Sequence, residues 1–135
     1  MIRIEGDNSF LELDRSELGP PGTPGDRDVL FNIGANVSGY AAVDQAWVAE
    51  HDLDRFVEEL RDLEQRRKGN AVLAGASPDD LRLEFHSTDS IGHMAVRGHV
   101  GWNHPSGFLL QLKFGFSFEP DLLPKLLRYF ETVNQ

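Results

Sequence analysis

Four of the five histidines lie close together in the sequence, where their side chains could in principle bind a metal ion. They are His86, His93, His99 and His104, and Asp89 lies among them. Six residues separate His93 from His99 on one predicted strand, which corresponds to about 20 Å at about 3.3 Å per residue. Because nitrogen ligands lie about 2.1 Å from a zinc ion, these two histidines cannot share one. We therefore predict no metal site.

A carboxylate, a histidine and a serine form a second chemical candidate. The strand register described below places Glu84 opposite His93, with Ser117 on the next strand beside His93. A carboxylate can orient a histidine as a general base, and that base can activate a serine. However, the sequence has neither a strained nucleophile turn nor an evident oxyanion hole, which serine chemistry requires. We therefore predict no catalytic residue.

Other motifs are better explained as structural features. Gly19-Pro20-Pro21-Gly22 precedes no predicted helix and the chain has no Gly-x-x-x-x-Gly-Lys pattern, so we predict no cofactor. The acidic Asp52 is interpreted as the N-cap of a helix. The cations Arg66-Arg67-Lys68 are interpreted as compensation of the dipole at the end of that helix.

The composition is that of an ordinary globular domain. The chain has 135 residues, of which 40% are hydrophobic and 26% charged, so we expect a single domain over residues 1–135. No run approaches the roughly 18 apolar residues that cross a bilayer, and the first residues do not resemble a signal peptide. The chain has no cysteine, which fits a reducing compartment. We therefore expect a cytoplasmic protein without membrane contact.

The net charge restricts the partners that this domain can bind. The chain has 22 acidic and 13 basic side chains, which gives a formal charge of −9. Such a charge repels phosphate backbones, so we predict no nucleic-acid binding. One interpretation is that acidity only keeps the protein soluble. The other is attraction to a basic protein partner.

The elements that position the candidate residues are clearest between Leu81 and Phe118, where apolar and polar residues alternate. This period of two predicts three half-buried strands. A four-residue turn would pair Leu83 with Met94, and a five-residue loop would pair Val96 with Phe114. A slip by one residue would turn apolar side chains into water, so we expect this register to be preferred by several kcal/mol.

The two faces of these strands have different predicted roles. The apolar face, which includes Phe108 and Leu110, would pack against two helices. The opposite face is polar and locally basic, and it is either a solvated face or a groove for a ligand or partner strand. The candidate contact residues on it are Arg82, Glu84, His93, Arg97, His99, Gln111 and Lys113.

Further strands are predicted from alternation and turn residues on the amino-terminal side of this block. They are Ile2–Ile4, Phe10–Leu13, Val29–Val37, Tyr40–Val48 and Ala71–Leu73. The hairpin of the third and fourth would place Phe31 opposite Trp47. Residues 16–27 contain three prolines and three glycines and are predicted to form a surface loop.

Two amphipathic helices complete the prediction. The first would begin after the N-cap Asp52 and end at Gly69, and the second would begin near Pro120. The acidic residues of the first helix that would face water or a partner are Glu58, Glu59 and Asp62. We therefore predict an α+β domain, with a twisted, mostly antiparallel sheet of about seven strands and two helices packed on one face.

Several segments follow one another as they do in a known protein family. They are Val37-Ser38-Gly39-Tyr40, Trp47, Asp52–Leu63, Gly69–Leu73, Leu81-Arg82-Leu83 and Gly92–Val96. Through these segments the chain, from about Asp28 to its C-terminus, resembles small bacterial proteins often labelled WapI-type immunity proteins. The resemblance implies a cognate inhibitor of a secreted, contact-delivered toxin. Such inhibitors are often acidic because many of these toxins are basic nucleases.

We therefore expect a non-catalytic protein that binds and neutralises a basic toxin through acidic helix and loop positions. The alternative hypothesis is a small ligand-binding or enzymatic module on the polar face around Glu84, His93, Arg97 and His99. A third hypothesis is a homodimer that forms through edge strands.

Overall fold

The computed structural model describes residues 1–77, 79–103 and 105–135, and these contain eight strands and two α-helices. The predicted α+β class is confirmed. Neither described α-helix has both the length and the apolar character needed to cross a membrane. The elements are β1 (Ile2–Gly6), β2 (Ser9–Leu18), β3 (Val29–Val37), β4 (Tyr40–Val48), α1 (Glu50–Arg66), β5 (Asn70–Ala74), β6 (Leu81–Ser87), β7 (Met94–Asn103), β8 (Leu109–Phe118) and α2 (Leu123–Thr132), with a 3-10 turn at Pro120–Leu122.

The described strands form two antiparallel sheets rather than the one sheet of about seven strands that we predicted. Each sheet is a meander in which neighbours in sequence are neighbours in space, in the orders β1-β2-β3-β4 and β5-β6-β7-β8. The division falls at α1, because this helix of 17 residues separates β4 from β5 in the sequence. Alternation within each strand cannot report such a division, since it records only which face is buried.

Two-residue turns set the register of the first sheet. Asp7 and Asn8 join β1 to β2, and Ser38 and Gly39 join β3 to β4, with φ between 49° and 89° at all four residues. Turns with positive φ at both central residues match the twist of antiparallel strands. Because the second turn pairs Val37 with Tyr40, the residue opposite Phe31 is Ala46 and not Trp47 as predicted.

The proline- and glycine-rich loop is shorter than predicted. Residues 16–18 belong to β2, which passes a bulge between Arg15 and Glu17 and then pairs Leu18 with Val29. The loop begins at Gly19, whose N–H donates to the carbonyl oxygen of Asp28 at 2.9 Å. A bulge lets a strand continue after one unpaired residue, and the composition of residues 16–18 does not reveal it.

The second sheet keeps the predicted faces but changes the predicted pairs. Leu83 lies opposite Gly98, four residues from its predicted partner Met94. Val96 lies opposite Phe116, two residues from its predicted partner Phe114. Both shifts are even, so every side chain stays on the face that alternation assigned to it.

The β6–β7 connection accounts for the larger shift. It runs from Thr88 to His93, and the N–H of Thr88 donates to the carbonyl oxygen of His93 at 2.8 Å. Inside it, the Asp89 carboxylate accepts the backbone N–H groups of Ile91 at 2.9 Å and His93 at 3.2 Å. This side chain holds a loop longer than the predicted four-residue turn, and it thereby sets the strand pairing.

Helix α1 begins three residues earlier than predicted, and its cap comes from another part of the chain. The N–H of Glu50 donates to Oδ1 of Asp28 at 2.8 Å, so Asp28 satisfies a free N–H at the helix start. The predicted cap, Asp52, lies in the first turn, where its charge still favours the helix dipole. The helix ends at Arg66, and left-handed Arg67 follows it, so Gly69 is not the terminating residue.

A continuous aromatic cluster joins the sheets and the helices. Phe130 of α2 contacts Phe31 of β3, with ring centroids 6.0 Å apart, and Phe56 of α1 at 4.9 Å. Phe56 also contacts Phe85 of β6 at 5.7 Å, and Phe85 contacts Phe118 of β8 at 6.0 Å. The helices therefore contact both sheets through one core, instead of covering one face of one sheet.

The central position of Phe56 predicts a large stability effect. Phe56 is fully buried, so Phe56→Ala should lower the free energy of unfolding by about 3–5 kcal/mol, through lost burial and an unfilled cavity. Phe108 is 72% exposed, so Phe108→Ala should change it by about 0.5 kcal/mol or less. Urea unfolding followed by circular dichroism measures both. Equal losses in the two variants would contradict this description of the core.

Candidate functional site

The polar face of the second sheet is present and arranged in rows across the strands. Arg82 of β6 lies opposite His99 of β7, which lies opposite Lys113 of β8. In the next row Glu84 lies opposite Arg97. These predicted contact residues therefore share one surface. Gln111 lies nearby on β8, opposite Gly101, and its side-chain amide donates to the carbonyl oxygen of Asp79 at 3.4 Å.

The charged residues at the centre of this face form an ion pair with each other. Nη2 and Nε of Arg97 both donate to Oε1 of Glu84, at 2.6 and 3.2 Å. The carboxylate of Glu84 is largely covered, with 15% of its side chain exposed, whereas Arg97 is 63% exposed. Glu84 is thus engaged by a guanidinium, which cannot serve as a general base.

His93 does not lie opposite Glu84 as predicted, because it belongs to the β6–β7 connection. Its Nδ1 hydrogen bonds to Oδ2 of Asp89. This hydrogen bond, and then the charge of Asp89, raises the pKa of His93, and the same hydrogen bond lowers the pKa of Asp89. The predicted arrangement of Glu84, His93 and Ser117 is therefore not formed, and His93 instead closes a loop.

The remaining histidines do not converge either. His86 lies on β6, where its Nδ1 is 3.3 Å from the carbonyl oxygen of Ser87. His104 lies outside the described residues. Within the described part of the chain, no three histidine, aspartate or glutamate side chains are grouped so as to hold a metal ion.

The three acidic residues predicted on the first helix have different environments. Glu58 is exposed, and Asp62 is exposed and forms an ion pair with Arg66 at 2.8 Å. Glu59 is half-buried, and its Oε1 accepts the backbone N–H of Val72 at 3.1 Å. Glu59 therefore satisfies an N–H of the edge strand β5, and it is Glu58 and Asp62 that face solvent.

Exposed apolar side chains form a surface that the sequence analysis missed. Val43 is 91% exposed, and Phe108 and Leu110, which were predicted to be covered by helices, are 72% and 58% exposed. Val43 and Leu110 line a depression of about 330 Å³, the β4–β8 groove. Its lining residues are Ala41, Ala42, Val43, Asp44, Val100, Gly101, Leu110, Gln111 and Leu112. Helix α1 packs on β5 and β6, at the opposite edge of this sheet, which explains the exposure.

Acidic residues lie at the rim of the β4–β8 groove. Asp44 lines it, and the carbonyl oxygen of Asp80 accepts the N–H of Gly101 at 3.1 Å, so Asp80 is adjacent. Partial burial raises the pKa of Asp80, and the negative charges of Asp44 and Asp79 raise it further. Crowding of like charges in this way is electrostatically unfavourable in the free protein.

Comparison with known proteins gives a family match. The model of a family described as "Immunity protein WapI-like family" matches residues 1–133. Neither the curated proteins nor the solved structures contained a match to the chain. The family match thus extends beyond the segment from Asp28 onward, and it includes β1, β2 and the proline- and glycine-rich loop.

The loop ion pair predicts a measurable titration. By NMR, His93 should titrate with a pKa above its ordinary value of 6.5, and Asp89→Asn should return it towards that value. Because the pKa of His93 is raised on folding, the pair's contribution to stability should be lost as pH rises through that raised pKa. At the acidic end it should be lost as pH falls through the lowered pKa of Asp89. An unchanged His93 titration in Asp89→Asn would contradict the assignment.

The acidic rim predicts a substitution that stabilises the protein. Asp80 has a raised pKa when folded, so its charge disfavours the folded state at neutral pH, and Asp80→Asn should raise the melting temperature at pH 7. The gain in melting temperature should fade as pH falls through the pKa of Asp80 in the folded protein, because wild-type Asp80 is then protonated. Asp54→Asn removes the same charge from an exposed position on α1 and serves as the control. Equal effects of both substitutions at pH 7 would exclude the partial burial and charge crowding of Asp80 as the cause.

Proposed function

This chain belongs to the WapI-like immunity protein family, and we propose that it neutralises a cognate toxin by binding it, without catalysing a reaction. The observation that carries this proposal is the family match, which covers residues 1–133 of the 135 in the chain. The geometry is consistent with binding. His93, which was considered as a general base, instead hydrogen bonds to Asp89 and closes a loop. Glu84, which was considered as its partner, forms an ion pair with Arg97.

The charge of the chain indicates what kind of toxin surface it would meet. The formal charge is −9, and exposed carboxylates such as Glu58 lie on the outer face of α1. Opposite charge on a partner accelerates encounter and orients it before close contact forms. We therefore propose a basic toxin, with Glu58 and Asp62 contributing to its attraction. Glu59, which already accepts an N–H of β5, contributes mainly to the fold.

The test uses purified toxin domains encoded beside this gene. One of them should form a complex with the chain, and the chain should protect cells that express that domain. Affinity should fall as salt rises from low to physiological concentration, because screening weakens attraction between exposed charges. If none of these domains binds at low salt and none is neutralised in cells, the proposal is wrong.

A charge reversal on the helix tests the steering role separately. Glu58→Lys should slow association with the toxin domain at low salt, by about twofold to tenfold, and should leave dissociation nearly unchanged. Glu17→Lys makes the same change of charge at an exposed position on β2 and is the matched control. Stopped-flow or surface plasmon resonance kinetics provide both rates. Equal association rates for the two variants would show that the α1 surface has no specific role in steering.

A further inference from the structure

We propose that the β4–β8 groove docks an extended segment of the toxin that carries both basic and apolar side chains, and that this segment pairs with the edge of β4. This inference rests on the proposed function, and it adds the surface that holds the partner and the chemistry of the segment that binds there. Three features support it: the exposure of Val43 and Leu110, the outer edge of β4 and the acidic rim.

The apolar side chains at this surface have no evident role in the fold. Val43 is 91% exposed and lies opposite Gly34, which has no side chain to cover it. Leu110 is 58% exposed and also lines the groove, and Phe108, two residues before it in the sequence, is 72% exposed. Single exposed apolar residues are normal on protein surfaces, but neighbouring ones around a depression mark an interaction site.

The groove also runs along the outer edge of a strand. β4 is the last strand of its sheet, and four consecutive residues, 41–44, line the groove. Successive side chains of a strand point to opposite faces, so consecutive residues can line one depression only along the strand's edge. An edge strand presents N–H and C=O groups with which an incoming strand can pair.

The far end of β4 limits where pairing can occur. There the carbonyl oxygen of Trp47 accepts the backbone N–H of Ala76 at 2.8 Å, so this part of the edge is already engaged. An incoming strand would therefore pair along the part of β4 that begins at Tyr40 and lines the groove. A strand of about four or five residues spans such a stretch.

The charge at the rim favours a basic segment over a second copy of this chain. Within the described residues, neither Asp44 nor Asp80 forms an ion pair. Partial burial raises the pKa of Asp80, and repulsion from Asp44 raises it further. A lysine or arginine of the partner placed between them would relieve this repulsion. A second copy of this chain would instead bring a further net charge of −9, and the same carboxylates, to the interface.

A partner segment in which apolar and basic side chains alternate would match both the apolar lining and the acidic rim of the groove. In an extended segment, every second side chain points the same way. Apolar side chains on one side would contact Val100, Leu110 and Leu112, and basic side chains on the other would approach Asp44 and Asp80. The predicted partner segment is therefore a strand in which valine-like residues alternate with lysine or arginine.

Hydrogen exchange on the complex with the neutralised toxin domain locates the interface. Amides of residues 40–44 should exchange more slowly in the complex than in the free chain, because they gain backbone partners. Residues 50–66 of α1 should change less. Protection confined to α1 or to the polar face of β6 and β7 would overturn the inference while leaving the proposed function intact.

Two matched pairs of substitutions test the apolar and acidic contributions. Val43→Lys should weaken the complex about tenfold or more, whereas Ile91→Lys, at a 79% exposed residue outside the groove, should weaken it less than about twofold. Asp44→Lys should likewise weaken binding more than Glu17→Lys. All four positions are at least partly exposed, and circular dichroism with thermal unfolding verifies that each variant folds. Equal effects within both pairs would overturn the inference.

A peptide probe separates failure of this inference from failure of the proposed function. If no toxin domain binds, the free chain is titrated with a synthetic peptide of alternating lysine and valine, and with one of alternating glutamate and valine. NMR shifts centred on residues 41–44 and 110–112 with the lysine peptide alone would support the groove chemistry without a toxin. Absence of those shifts, or equal shifts with both peptides, would overturn the inference.

The mass of the free chain in solution tests a second copy as the occupant. A concentration-dependent dimer mass, abolished by Val43→Lys, would assign the groove to a second copy and would also overturn the inference.

Discussion

Packing of phenylalanine rings between the two sheets is the constraint on which the rest of this structure depends. Each sheet is a separate meander, and no ladder of backbone hydrogen bonds joins the described strands of one sheet to those of the other. Phe31 of the first sheet and Phe85 of the second are connected through Phe130 and Phe56 of the helices. The helices therefore act as the middle of the core, and buried apolar surface holds the two halves of the fold together.

The same arrangement determines which surface remains open. Helix α1 lies against β5 and β6, and α2 lies against α1 and β1, so neither helix packs mainly on the end of the β7–β8 hairpin. Apolar residues there, such as Leu110, stay exposed beside the edge of β4. Several arginines form ion pairs with the chain's own acids. The carboxylates of Asp44 and Asp80, which form no ion pair with any described residue, remain at this open surface. Fold and charge distribution thus lead to the same candidate interface.

Local patterns were sufficient to predict the fold class and the buried face of most of the second sheet, but not the buried face of β4, where Ala46 and not Trp47 lies opposite Phe31. Alternation with period two assigned Leu83, Val96 and Phe116 to the buried face, and all three are buried. It could not assign their partners, because a pairing shifted by two or four residues buries the same side chains. The shift of four residues between β6 and β7 was set by the loop that Asp89 holds with its hydrogen bonds. The helix cap illustrates the same limit, since Asp28 reaches Glu50 from 22 residues away in the sequence.

The sequence by itself determined the α+β class, the buried faces of β6 and β7, the acidic character of the chain and the resemblance to a family of immunity proteins. These properties depend on composition and on spacing within single elements, which the chain carries locally. Only the tertiary structure decided that there are two sheets, that Glu84 pairs with Arg97 while His93 pairs with Asp89, and that Phe108 and Leu110 stay exposed. Such features depend on which elements meet, and that is set by packing and by loop geometry between residues that are distant in the sequence.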